Sequence, residues 1–217
     1  MILPESLLLL AVAGDPGSAP RGGYRLDLAL AGAELIETAF AGRLDVRAGR
    51  LAAIDDLPDG DSDLDGIIDA LFGLTRPITA RDWLASRHRQ VRAVYLDRLC
   101  CSQVIRRQER RVLGIFRVNG YPLCDPDVYD HTFKELDEVA VAPTRPGHDP
   151  DTAALGALAH LSGLARALYP GRSGRPGRAG LRQLTQAAWA PATVAALLGA
   201  VSSAIESEIA AATNACR

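Results

Sequence analysis

The chain has 217 residues, of which 48% are hydrophobic, 5% aromatic and 23% charged, with a formal net charge of −2. Length and composition predict one domain, residues 1–217, with a sizeable core built from helices, because Leu, Ala and Arg dominate while the residues that favour strands are sparse. Near-neutral charge argues against coating of nucleic acid, and Lys134, the only lysine, sits in no Gly-Lys-Ser/Thr step, which excludes a P-loop nucleotidase.

Pro4 and Glu5 open a predicted helix through Ala13, ended by Gly14-Asp15-Pro16-Gly17 and a turn-rich stretch to Gly23. Its apolar run from Leu7 to Ala13 lacks a basic leader and is too short to span a bilayer. Any membrane contact is therefore expected to be peripheral. The next helix, residues 24–41, places Leu35, Ile36, Ala39 and Phe40 on one apolar face and stops at Gly42. Leu44-Asp45-Val46 and Arg50-Leu51-Ala52, about Ala48-Gly49, read as a small β-hairpin. An acidic loop over residues 55–65 leads into an amphipathic helix reaching Leu74, and Thr79 then caps a helix running through Trp83 toward Ser86.

From Arg89 to about Arg107, Val91, Val94, Tyr95, Leu99 and Val104 recur at helical spacing between arginines. Ten arginines between Arg76 and Arg111 face Asp82, Asp97 and Glu109, which makes this segment either an anion-binding face or a solvated helix face. The strand-rich run from Val112 to Val118 joins the arginines before it in a second hairpin, broken at Pro122. Then come a helix over residues 128–139, a Pro/Gly loop over 143–150, a buried Ala/Leu helix over 152–169, a flexible basic loop over 170–180, and the last helices from about Pro191 to Ala212.

Few motifs suggest chemistry. Asp61-Ser62-Asp63-Leu64-Asp65-Gly66 matches the first half of a calcium loop, but position twelve is Phe72, and carboxylates complementing a helix dipole explain the same residues better. Cys100, Cys101, Cys124 and Cys216 lack C-x-x-C spacing, so no metal site, disulfide framework or cofactor is expected, in keeping with a reducing cytoplasm. His88, His131, His148 and His160 belong to no catalytic signature, and His160 reads as a hydrogen-bonded core histidine. Trp83 and Trp189 read as packing anchors. A winged-helix reading of residues 35–52 lacks a Lys-, Asn- and Gln-rich recognition surface. No catalytic residue is specified.

Several segments, in order, resemble the Golgi phosphoprotein 3 family. These are Leu3-Pro4-Glu5-Ser6-Leu7-Leu8-Leu9-Leu10, the stretch 29–44 with Leu35-Ile36-Glu37 and Gly42-Arg43-Leu44, and the loop at 58–64. Further on, residues 77–84, Arg89-Gln90-Val91-Arg92, Tyr121-Pro122-Leu123 and Leu158-Ala159-His160 continue the match, so that the resemblance spans residues 2–169. The resemblance implies an all-α fold, a central helical bundle ringed by amphipathic helices with one or two small β-hairpins. A projecting hairpin would serve self-association, here through Val112, Ile115, Phe116 and Val118.

It also implies recognition of phosphatidylinositol 4-phosphate and adaptor work on Golgi glycosyltransferases. Arg89 and Arg92, three apart on one helix face, could converge on one phosphate by charge-assisted bonds. The family's lipid site adds a Trp and an Arg whose matching positions here are Gly22 and Ala31, with Tyr24 and Arg25 as nearby substitutes. The family's basic N-terminal tail has no counterpart, and the Arg-for-Lys bias points to a high-GC bacterium of actinobacterial type, which has no Golgi. The expectation is thus a cytoplasmic protein, peripheral on the inner face of the membrane, that binds an anionic phospholipid headgroup. Two alternatives are an enzyme of secondary metabolism reusing the pocket, with Asp61, Asp63, Asp65, His88 and His131 as first suspects, and a structural homo-oligomer.

Overall fold

In a computed structural model, residues 1–13, 20–54, 60–112, 116–145 and 147–215 are described. The chain orders as α1 (Leu3–Val12), α2 (Gly23–Phe40), β1 (Leu44–Arg47), β2 (Arg50–Ala53), α3 (Ser62–Phe72), α4 (Ala80–Cys101), β3 (Gln108–Val112), β4 (Phe116–Gly120), α5 (Pro126–Val141), α6 (Pro150–Leu161), α7 (Ala165–Leu168), α8 (Arg175–Leu184) and α9 (Ala192–Ala215). It is a mostly helical fold with two small antiparallel hairpins, as the composition and the resemblance both imply.

Helix α2 is the axis of the bundle. Its sequence from Leu26 to Ile36 is small and apolar on nearly every side, and all of it except Asp27 is buried, because α1, α4, α6 and α9 pack around it. Gly32 lets α9 approach closely, since a Cβ there would lie 2.3 Å from Val201 Cγ2. Helix α9 is long and apolar enough over residues 192–211 to cross a membrane by length and composition. Here Val194, Leu197, Leu198, Val201 and Ile205 are buried in the bundle instead.

Three expected boundaries are corrected. The segments expected at 79–86 and 89–107 form one helix, α4, because no breaker separates Ser86 from Arg89, and the helix ends at Cys101, followed by Gln103 at φ +60°. Thr79 caps it as expected, its Oγ1 accepting the Asp82 N–H at 3.2 Å. The basic stretch read as a flexible loop over 170–180 contains the start of α8. Its glycines serve close packing: a Cβ on Gly180 would stand 1.7 Å from Ala140 O, and one on Gly177 2.4 Å from the Tyr169 ring. The apolar run 152–169 is cut after Leu161 by Gly163 at φ +85°, leaving α7 as a single turn.

The first hairpin has the expected register about Ala48 and Gly49, with Val46 opposite Leu51. In the second, Arg110 faces Val118 and Val112 faces Phe116. The self-association residues expected there, Val112, Ile115, Phe116 and Val118, lie outside the described residues, Ile115 entirely and the other three in their side chains. The turn expected at residues 14–17 and most of the acidic loop after Ile54 lie outside them too.

Candidate anion-binding face

The first turn of α2 meets the middle of α4. Gly22, at φ +105°, turns the chain into α2 with no side-chain cap, and Leu26 N–H, bonded to Gly22 O at 3.3 Å, starts the helical ladder. The amides of the preceding turn are therefore those a helix leaves for an outside acceptor, at its positive end. Gly22, Gly23, Tyr24 and Arg25 are all exposed. Gly22 also explains a departure from the family's pattern: a Cβ there would lie 2.8 Å from Leu26 Cβ and 3.3 Å from Ser162 O, on a backbone that favours glycine. Ala31, at the other departing position, is fully buried within α2.

Helix α4 lays His88, Arg89 and Arg92 against this turn. The Tyr24 and His88 rings meet edge to face, 4.7 Å between centroids, while His88 Nδ1 lies 3.3 Å from Leu84 O. Arg89 is exposed and its side chain makes no hydrogen bond or ion pair among the described residues. Arg92 is already engaged: its Nε donates to Asp27 Oδ1 at 2.6 Å and its Nη2 to the Gly23 carbonyl. The expected pair thus divides into two roles, Arg92 fixing the first turn of α2 and Arg89 presenting a free guanidinium. Arg25 is exposed, with its Nη1 near Gly163.

Two carboxylates that the sequence reading did not place complete the site. Burial pushes the Asp27 carboxyl above its ordinary value, against the opposing pull of Arg92. The Tyr24 hydroxyl is likewise pushed up, first by burial and then by the negative charge of Glu208 on α9, with Arg89 acting in the other direction. Asp27 was legible in principle, as an acid near the start of a helix and just past its first turn. Glu208 was not, since 184 residues separate it from Tyr24 (208 − 24).

Most of the arginine-rich stripe on α4 faces inward. Arg87 grips Glu34, fully buried in α2, through Nε at 2.9 Å to Oε2 and Nη2 at 2.8 Å to Oε1. Arg98 reaches Glu5 at 2.8 Å and Asp61 at 2.7 Å, and Arg43 reaches Asp65 at 2.6 Å. Arg87, Arg92 and Arg98 thus tie helices together through ion pairs. Arg89 is the exception on that stretch of α4.

The same pairings occupy the acidic suspects. Asp61 accepts the Leu64 N–H at the start of α3 and counters Arg98, and Asp65 counters Arg43. The Asp63 side chain lies outside the described residues. His131 is exposed on α5 with Glu135, 3.3 Å away, one turn on. Among the described residues no group of three or more metal-ligating side chains forms. Burial pushes the His160 imidazole down, with Arg182 adding to the effect, and its Nδ1 is buried without a partner. Cys100 is half-buried, Cys101 and Cys124 are exposed thiols, and Cys216 lies outside the described residues.

No curated protein matches the chain. The sequence model of one family, Golgi phosphoprotein 3 (GPP34), matches residues 3–201, a span that starts with α1 and ends within α9. The match covers far more than half of the sequence and includes both faces of the α2–α4 junction, and the chain therefore belongs to the Golgi phosphoprotein 3 family.

Proposed function

We propose that this protein is a peripheral membrane protein that binds an anionic phospholipid headgroup, of the phosphatidylinositol 4-phosphate type, at the start of α2. The observation that supports the reading is the coincidence, at one exposed point, of an uncapped 18-residue helix N-terminus with the unpaired guanidinium of Arg89. Tyr24 and Arg25 flank the point, and Arg92 positions the turn through Asp27 and Gly23. Asp27 and Glu208 oppose an anion, so binding is weaker than a site of arginines alone would give. The inner face of the membrane is the surface this reading assigns.

Flotation of the full chain with vesicles of phosphatidylcholine, with and without phosphatidylinositol 4-phosphate, tests the proposal. Wild type should float with the anionic vesicles at low salt and less at high salt, because screening acts within about 10 Å at 0.1 M. The Arg25→Ala/Arg89→Ala variant should stay at the bottom. Equal flotation of both proteins would overturn the reading.

Self-association through β3 and β4 is part of the same proposal. Among the described residues that hairpin pairs only with itself, which leaves both strands with an open edge. Deleting residues 112–122 should then lower the mass seen by light scattering, and an unchanged mass removes this part.

A further inference from the structure

A second concavity lies away from the α2–α4 junction. The loop joining α5 to α6 and the turn joining α8 to α9 face each other across a slot of about 400 Å³, a volume within the usual range for small-molecule sites. Its walls are apolar and rigid: the Trp189 indole, the Pro143 and Pro150 rings, Leu184 and Ala153. Trp189 is fixed in place because its Nε1–H donates to Leu184 O at 2.9 Å. His148 Nε2 bonds the Ala142 carbonyl and closes the opposite loop on itself. A hydrogen bond thus holds one residue on each wall, and a side chain already held costs less to order on binding.

The mouth is polar and open to solvent. Arg145, Gln183 and Gln186 line it, all three are exposed, and none has a side-chain hydrogen bond or ion pair among the described residues. Arg145 stands on the boundary with an acidic groove lined by Glu135, Asp137, Glu138 and Asp149. Asp149 is occupied there in capping α6 through Thr152 N–H at 3.0 Å. The carboxylates of that groove repel an anion, which favours its approach to Arg145 from the slot. Next to the slot, Ala187 holds φ +53°, a backbone that non-glycine residues rarely adopt and that recurs at ligand-binding sites.

We propose that this slot binds a small organic acid, a ring-bearing apolar body against Trp189 and the prolines with one anionic group on Arg145. The two glutamines supply amide donors and acceptors to the rim of the ligand. The proposal is one of binding: Thr144 and His148 also line the slot, and His148 is engaged with the Ala142 carbonyl.

The test uses 2-naphthoate as probe and 2-naphthamide as its uncharged counterpart, with affinities from calorimetry on the full chain. Naphthoate should bind at least about tenfold more tightly than naphthamide, the scale of one hydrogen bond to a charged group. Arg145→Gln should erase that difference while leaving naphthamide binding unchanged. Ala188→Phe, a substitution at an exposed position lining the slot, should block both probes. Vesicle flotation should be unaffected by either variant, which separates this site from the α2–α4 junction. Failure of naphthoate to bind, or equal binding by wild type and both variants, overturns the proposal.

Discussion

Replacing Arg87 by alanine strips the counterion from Glu34, whose side chain has no solvent exposure. Two guanidinium nitrogens, Nε and Nη2, approach the two carboxylate oxygens at 2.8 to 3.3 Å, so the partner is held by a bidentate grip. Removing one member of a buried pair costs about 3–5 kcal/mol, because the remaining charge loses its partner without regaining water. Typical domains have a total stability of about 5–15 kcal/mol, so the variant should keep only part of its folding free energy. In urea, with a slope of about 2 kcal/mol per molar, the midpoint should drop by roughly 2 M. A Glu34→Gln/Arg87→Met variant should recover most of the loss, since no charge is then left buried.

The neighbouring Arg89→Ala should change stability by less than about 0.5 kcal/mol, as surface substitutions do, while reducing flotation. A midpoint for Arg87→Ala within 1 M of wild type, or a double variant no better than the single one, would refute the assignment of this arginine to the core.

Three further outcomes follow from the packing and the buried ionisable groups. Gly180→Ala should destabilise by about 2 kcal/mol or more in urea, because the clash with Ala140 O outweighs the gain of about 1 kcal/mol in helix propensity. Glu37, whose carboxyl is raised by burial despite accepting the Leu3 N–H at 2.7 Å, contributes stability that is present below its unfolded value and lost as the pH rises through the folded one. Glu37→Gln keeps an acceptor, so its melting temperature relative to wild type should be higher at pH 7 than at pH 4. His160, pushed down by burial, does the reverse: the fold loses stability as the pH falls below about 6.5. His160→Gln should flatten the change in melting temperature between pH 8 and pH 5.

The elements that could be read in the sequence are those whose signals are local. Thr79 as a cap and Ala48-Gly49 as a hairpin turn act within four residues, and the structure places both as read. Gly177 and Gly180 misled because glycine was read for what it permits within its own chain, whereas here it admits Tyr169 and Ala140 from other elements. The candidate site was half legible. Periodicity put Arg89 and Arg92 on one face of a helix, but only the fold shows that Asp27, 65 residues earlier, has engaged one of them. Charge runs in a sequence carry no record of which members meet a partner across the bundle, and on α4 the paired ones, Arg87, Arg92 and Arg98, outnumber Arg89.

The inward ties of α4 also set the order in which the molecule can complete itself. Glu5 waits for Arg98, 93 residues further along; Glu34 waits for Arg87, 53 residues on; and Asp27 waits for Arg92. During synthesis α1 and α2 emerge first, carrying carboxylates whose partners have not yet been made. The central helix keeps its carboxylates unpaired until the stretch near residue 98 has left the ribosome and is covered fully only when α9 follows, so folding of this helical protein depends on closing long loops in the manner more familiar from β proteins.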